Sequence, residues 1–224
     1  MRQLLALSFL LLLPAAHAAE YGNYDPQRIL TERDSPTGKK HGLDGTYLDT
    51  MIADLARHAA NYPPRFDTPQ DKARAIRDVR ALSGMLDIAI DGPTPNPELL
   101  SRAGQVNSIG YNLDISGSAE KTNTIFQRLL TASPGHARGN YLYGTFLAGA
   151  GQPKQALPYL EKALGAGVVD AGYALGMTWL TMGDKTKALE YLEAYRKQAP
   201  GSANIDKLID AVRNGKVEAG KGTD

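Results

Sequence analysis

The stretch Tyr141–Leu160, YLYGTFLAGAGQPKQALPYL, is restated 32 residues later as Tyr173–Leu192, YALGMTWLTMGDKTKALEYL. A third version, Asn107–Phe126, NSIGYNLDISGSAEKTNTIF, stands in the same register ahead of both. A chain that repeats itself at this period builds one small unit several times and stacks the copies, because a single unit cannot bury its apolar face alone.

The matching positions have physical jobs. Gly110, Gly144 and Gly176 fall in the middle of predicted helices, where glycine costs about 1 kcal/mol relative to alanine. A cost met three times in register needs a packing reason, and a missing side chain lets two helices of a hairpin approach closely. Gly117, Gly151 and Gly183 fall at the predicted turns, where a left-handed backbone is usually required. On the helix that follows, Thr122, Ala156 and Ala188 give a small contact, and Phe126, Leu160 and Leu192 fill the space four residues on.

This pattern resembles the tetratricopeptide repeat, a helix-turn-helix unit of about 34 residues. The resemblance covers Ala103 to roughly Gly201 and is carried in the third copy by Leu175, Gly176, Trp179, Gly183, Ala188, Leu192 and Pro200. Thr122 in place of the small alanine, Trp179 in place of tyrosine and Pro158 inside a predicted helix are departures from it. It implies an all-α helical-hairpin solenoid with copies at about 103–136, 137–168 and 169–202. Ile205, Leu208, Ile209 and Val212 form the apolar stripe expected of a terminal capping helix.

Residues 1–18, MRQLLALSFLLLLPAAHA, place Arg2 before an apolar run and end on small residues around His17, the pattern of a cleaved export signal. The run Leu4–Leu13 is too short for a membrane span, which needs about 20 apolar residues. With no cysteine, neither a lipid-bearing residue nor a disulfide is available. These features predict a periplasmic or secreted protein without stable membrane insertion. The 25 basic and 24 acidic residues become balanced once Arg2 is removed, so nothing steers the chain toward nucleic acid.

Residues 19–45, rich in Gly, Pro, Asp, Thr and Ser, predict a flexible leader, and no segment has the period of two that would predict a sheet. Residues 46–100 read as an N-terminal helical region. Its first helix carries Leu48, Met51, Ile52 and Leu55 and ends before Pro63 and Pro64. A second opens on Thr68 as N-cap with Pro69 behind it, and a third on Asn96 with Pro97. Residues 101–214 hold the repeats and the capping helix, and 215–224 read as a disordered tail.

In the repeat family the first helices of successive hairpins line a concave groove that commonly holds an extended peptide or a partner helix. The resemblance places Asn107, Tyr111, Arg138, Tyr141, Tyr173, Met177 and Leu180 on that groove. One subset of the family clamps a terminal carboxylate with several Lys, Arg and Asn side chains, and here only Asn107 and Arg138 are candidates. Beyond the signal, His41, His58 and His136 are scattered, and neither H-E-x-x-H nor G-x-S-x-G occurs. GAGQPKQ lacks the lysine-hydroxyl ending of a phosphate loop. No catalytic residue, cofactor or metal is predicted. The expected function is a scaffold or adaptor for a protein or peptide. The alternative is an accessory or regulatory subunit of an envelope enzyme or assembly complex, binding through its convex face or N-terminal helices.

Overall fold

The computed structural model describes residues 20–202 and 204–217. The expected export signal and residues 218–224 of the tail lie outside them. The described chain is helical apart from one hairpin: β1 (Leu30–Ser35) and β2 (Gly38–Leu43) precede α1 (Gly45–Ala59), α2 (Pro69–Ala89), α3 (Pro97–Asn112) and α4 (Ser118–Ala132). Then come α5 (Ala137–Gly149), α6 (Pro153–Gly165), α7 (Asp170–Thr181), α8 (Lys185–Gln198) and α9 (Ile205–Arg213). Contacts divide the chain into two compact units that meet in sequence between Ala132 and Ser133. The first repeat copy, α3 and α4, therefore groups with the N-terminal helices.

In the unit of residues 20–132, helix starts follow the caps. The Thr68 hydroxyl accepts from the Asp71 amide at 3.1 Å, and the Asn96 side-chain oxygen Oδ1 accepts from the Glu98 amide at 2.8 Å. Each satisfies an amide that lacks a partner within the helix. Proline follows both caps, at Pro69 and Pro97. Leu48, Met51, Ile52 and Leu55 of α1 and Val79, Leu82 and Leu86 of α2 are buried as their period requires.

The expectations of a flexible leader and no sheet are corrected here. Residues 30–43 form an antiparallel two-stranded hairpin with Leu30 opposite Leu43 and Ser35 opposite Gly38. It escapes pattern reading because its strands are mostly exposed and charged, with no buried face to impose alternation. Its base is tied by the Asp44 amide donating to the Ile29 carbonyl at 2.7 Å.

Ahead of it, Tyr21 and Ile29 are 1% and 0% exposed. The Tyr21 hydroxyl donates to Asp78 at 3.0 Å, the Gly22 amide to Asp54 at 2.9 Å, and the Tyr24 hydroxyl to the same Asp54 oxygen at 2.8 Å. Arg74 donates to the Tyr21 carbonyl at 2.8 Å and also binds Asp71. The leader is thus built onto α1 and α2 through three buried carboxylates. Burial first, then the charge of Asp78, holds the Tyr21 phenol far above its ordinary pKa. Burial and the bond to Asp54 push Tyr24 up to about 12.

In the unit of residues 133–217 the repeat register is realised in atoms. A Cβ on Gly144 would lie 2.7 Å from Leu160 Cγ, and one on Gly176 2.6 Å from Leu192 Cγ. Both glycines stand at equivalent crossings of the two helices of a hairpin. Gly151 and Gly183 carry φ of 78° and 83°, and amides just beyond them close the turns: Gln152 donates to Leu147 at 2.9 Å and Asp184 to Trp179 at 3.0 Å. Ala156, Leu160, Ala188 and Leu192 are fully buried.

The first copy departs from this geometry. Its first helix ends early because Asp114 takes a left-handed φ of 59°, and the Ile115 amide bonds back to Gly110 at 2.9 Å. Gly110 therefore faces Ser118, and the larger Phe126 reaches back to Gly104, where a Cβ would sit 2.6 Å from its ring. Gly117, with φ of 78°, and the buried Thr122 keep their predicted places.

Helix α9 covers the end of this second unit with Ile205, Ile209 and Val212 packed on Leu180, Ala188 and Leu192. Val217, expected in a disordered tail, belongs to the same buried cluster. No helix among the described residues is long and apolar enough to cross a membrane.

Candidate functional site

The first helices of the second and third copies, α5 and α7, place Tyr141 and Tyr173 at equivalent repeat positions. Tyr141 is half-buried, and Tyr173 is 40% exposed, one of few large apolar side chains so open to water among the described residues. Tyr195, from α8, joins them: its ring centroid lies 5.6 Å from that of Tyr173, with the planes at 57°. This tilted pairing suits the quadrupoles of two aromatic rings. The Tyr195 hydroxyl donates to Asp170 Oδ1 at 3.4 Å, which leaves Ser202 Oγ, 3.2 Å away, to donate to it.

Burial raises the pKa of Tyr141 first, followed by the charges of Asp170 and the two other tyrosines. Burial and Tyr195 raise that of Tyr173. Both phenols are neutral at physiological pH, so they offer ring faces and hydroxyl groups rather than a nucleophile. Met177, one turn beyond Tyr173, is half-buried against the core that α8 and α9 share.

The remaining residues assigned to the groove divide. Arg138 is exposed in the first turn of α5 and Tyr111 is half-buried on α3. Two assignments are corrected. Asn107 is 1% exposed and its amide is spent internally: it accepts from Ser83 Oγ at 2.9 Å and donates to the Ala103 carbonyl at 2.9 Å. Leu180, 2% exposed, is core between α8 and α9. Neither presents surface to a partner. Position alone marked both, and the missing information was how much of each first helix its own neighbours cover.

The sequence reading missed Tyr195 and Asp170. Tyr195 follows the core residue Leu192 by three positions on α8, a spacing that puts it on the edge of the packed face. That was the one signal available.

His58 is buried, as a structural histidine should be. Its Nδ1 donates to the Arg65 carbonyl at 3.0 Å and its ring stacks on Phe66 at 5.0 Å. Among the described residues no group of three or more His, Asp or Glu is placed to hold a metal.

Paired antiparallel helices, close-packed through glycine and turned by left-handed glycines, define a helical-hairpin repeat protein. Residues 147–211 match the family model of the tetratricopeptide repeat. A solved structure of a thermophilic TPR protein from Thermus thermophilus aligns over 75% of this chain and 92% of its own, with a TM-score of 0.54 and 15% identity. No curated protein matches the sequence. Residues 147–211 therefore carry tetratricopeptide repeats, which in general terms indicate a protein-protein interaction scaffold.

Proposed function

We propose that the protein is an exported scaffold of the bacterial envelope, periplasmic or secreted, that docks a peptide or helix of a partner on the first-helix face of residues 133–217. The observation that carries this reading is the placement of Tyr141 and Tyr173 at equivalent positions of consecutive repeats, half-buried and 40% exposed. Tyrosine combines a rigid apolar face with a polar tip, which suits it to contact patches. Affinity then comes from covering the rings and Met177, and register from hydroxyl groups and Arg138. The protein acts by binding rather than catalysis.

The export part rests on residues 1–18. It predicts a mature chain that starts at Ala19, read by mass spectrometry of the protein recovered from the envelope or medium.

The docking part is tested by a photo-crosslinking residue placed at position 173 and, separately, at Ile88, which is 81% exposed on α2. Adducts from position 173 that vanish when Tyr141→Ala is added, together with loss of partner capture in a Tyr141→Ala, Tyr173→Ala double variant without the probe, support the reading. Adducts from position 88 alone, or capture that survives the double variant, overturn it in favour of an accessory subunit bound through the N-terminal helices.

A further inference from the structure

The tyrosine cluster holds one carboxylate and no cation. Asp170 is exposed at the start of α7, and its polar partner among the described residues is the Tyr195 hydroxyl at 3.4 Å. No basic side chain among those residues pairs with it: Arg196 is bound to Asp206 at 3.1 Å and Arg213 to Glu193 at 2.6 Å. Asp170 and the ring faces share one polarity. A carboxylate is negative, and the faces of Tyr141, Tyr173 and Tyr195 carry the negative lobe of the ring quadrupole. The charge of Asp170 is felt at Tyr141, whose hydroxyl it holds up after burial has done so.

An anionic ligand laid on the ring faces meets repulsion from them and from Asp170. The amides of the first turn of α7, which otherwise attract anions, already have Asp170 beside them. A role at the helix start explains the carboxylate alone. It does not explain three rings gathered around it with the most exposed of them 40% open.

We propose that this cluster receives a lysine or arginine side chain of the docked partner, its aliphatic stem against Tyr173 and Tyr141 and its charged head at Asp170. The inference rests on the docking reading and narrows it to a basic peptide. A long cationic side chain covers apolar rings with its methylenes while its head stays hydrated beside the carboxylate, and a ring face within about 6 Å adds attraction to the cation. Selectivity then comes from charge: the same face rejects the acidic peptide ends that a cluster of basic groups would hold.

The test uses the full chain from Ala19 and three blocked peptides of equal length, with lysine, arginine or glutamate between glycines. The ring resonances of Tyr173 and Tyr195 are followed by NMR. Lysine and arginine peptides are expected to move them, with apparent affinity falling about three- to tenfold in Asp170→Asn and falling further as salt is raised. Tyr173→Ala should weaken the response at Tyr195, and circular dichroism checks that both variants keep their helices. If the glutamate peptide moves the rings as far as the lysine peptide, or Asp170→Asn changes nothing, the cation inference falls while docking on this face stands. Rings unmoved by any peptide overturn the inference as well. Absence of crosslinks at position 173 then takes the docking reading with it.

Discussion

The leader with α1 and α2, and the repeats of residues 133–217, solve the same problem by opposite means. In the first, Asp54, Asp71 and Asp78 are 2%, 2% and 0% exposed and bind Tyr21, Gly22, Tyr24, Arg57, Arg74 and Arg77. In the second, the hairpins interlock by shape: Leu160 lies over Gly144 and Leu192 over Gly176, with Ala156 and Ala188 completing each crossing. Shape complementarity tolerates neither extra nor missing methylenes. Buried charges tolerate neither the loss of a partner nor a change in protonation. The two regions should therefore fail under different perturbations.

The largest difference is expected from Arg74→Met, which leaves the Asp71 carboxylate buried without its cation and the Tyr21 carbonyl without its donor. A loss of about 3–5 kcal/mol is expected. Hydrogen exchange should show it concentrated in α1 and α2, and equal loss of protection in α7 and α8 would break the contrast.

Tyr21→Phe removes the proton that Asp78 accepts and should cost about 1–3 kcal/mol in denaturant unfolding. It also sharpens the pH dependence. Because the Tyr21 phenol is held above its unfolded value, its contribution is complete below about pH 10 and is lost as pH rises beyond that. Alkaline destabilisation should therefore be shallower in the variant than in the parent.

Gly176→Ala inserts a methyl 2.6 Å from Leu192 Cγ and 3.2 Å from the Ala188 carbonyl oxygen. Overpacking of about 1–3 kcal/mol outweighs the gain of about 1 kcal/mol in helix propensity. Gly84→Ala on α2 meets nothing within 4 Å, so only the propensity gain remains and stability should rise by up to about 1 kcal/mol in thermal unfolding. A stabilising Gly176→Ala would remove the interlock from the account.

What pattern reading recovered is what local chemistry specifies. The Thr68 and Asn96 caps, the left-handed Gly117, Gly151 and Gly183, and the buried small-large pairs of α6 and α8 are each fixed by a residue and its near neighbours. The leader was illegible for the converse reason. Tyr21 and Asp78 are 57 positions apart, and Gly22 and Asp54 are 32 apart, so no short window of sequence contains either bond. At the candidate site the equivalent tyrosines were visible from the register. Tyr195 and Asp170 come from different helices, and only their packing brings them together. Asn107 shows the limit of register itself: it occupies the position of Tyr141 and Tyr173, yet α2 covers it and Ser83 bonds it.

The anchoring of Tyr21 bears on how the amino end of the fold meets an exopeptidase. An aminopeptidase must draw each terminal residue into its own cleft with the backbone released, and here the phenol is 1% exposed, the Tyr21 carbonyl is held by Arg74 and the next amide by Asp54. Digestion from the amino end should therefore stall at Tyr21, so that this buried residue doubles as a stopper.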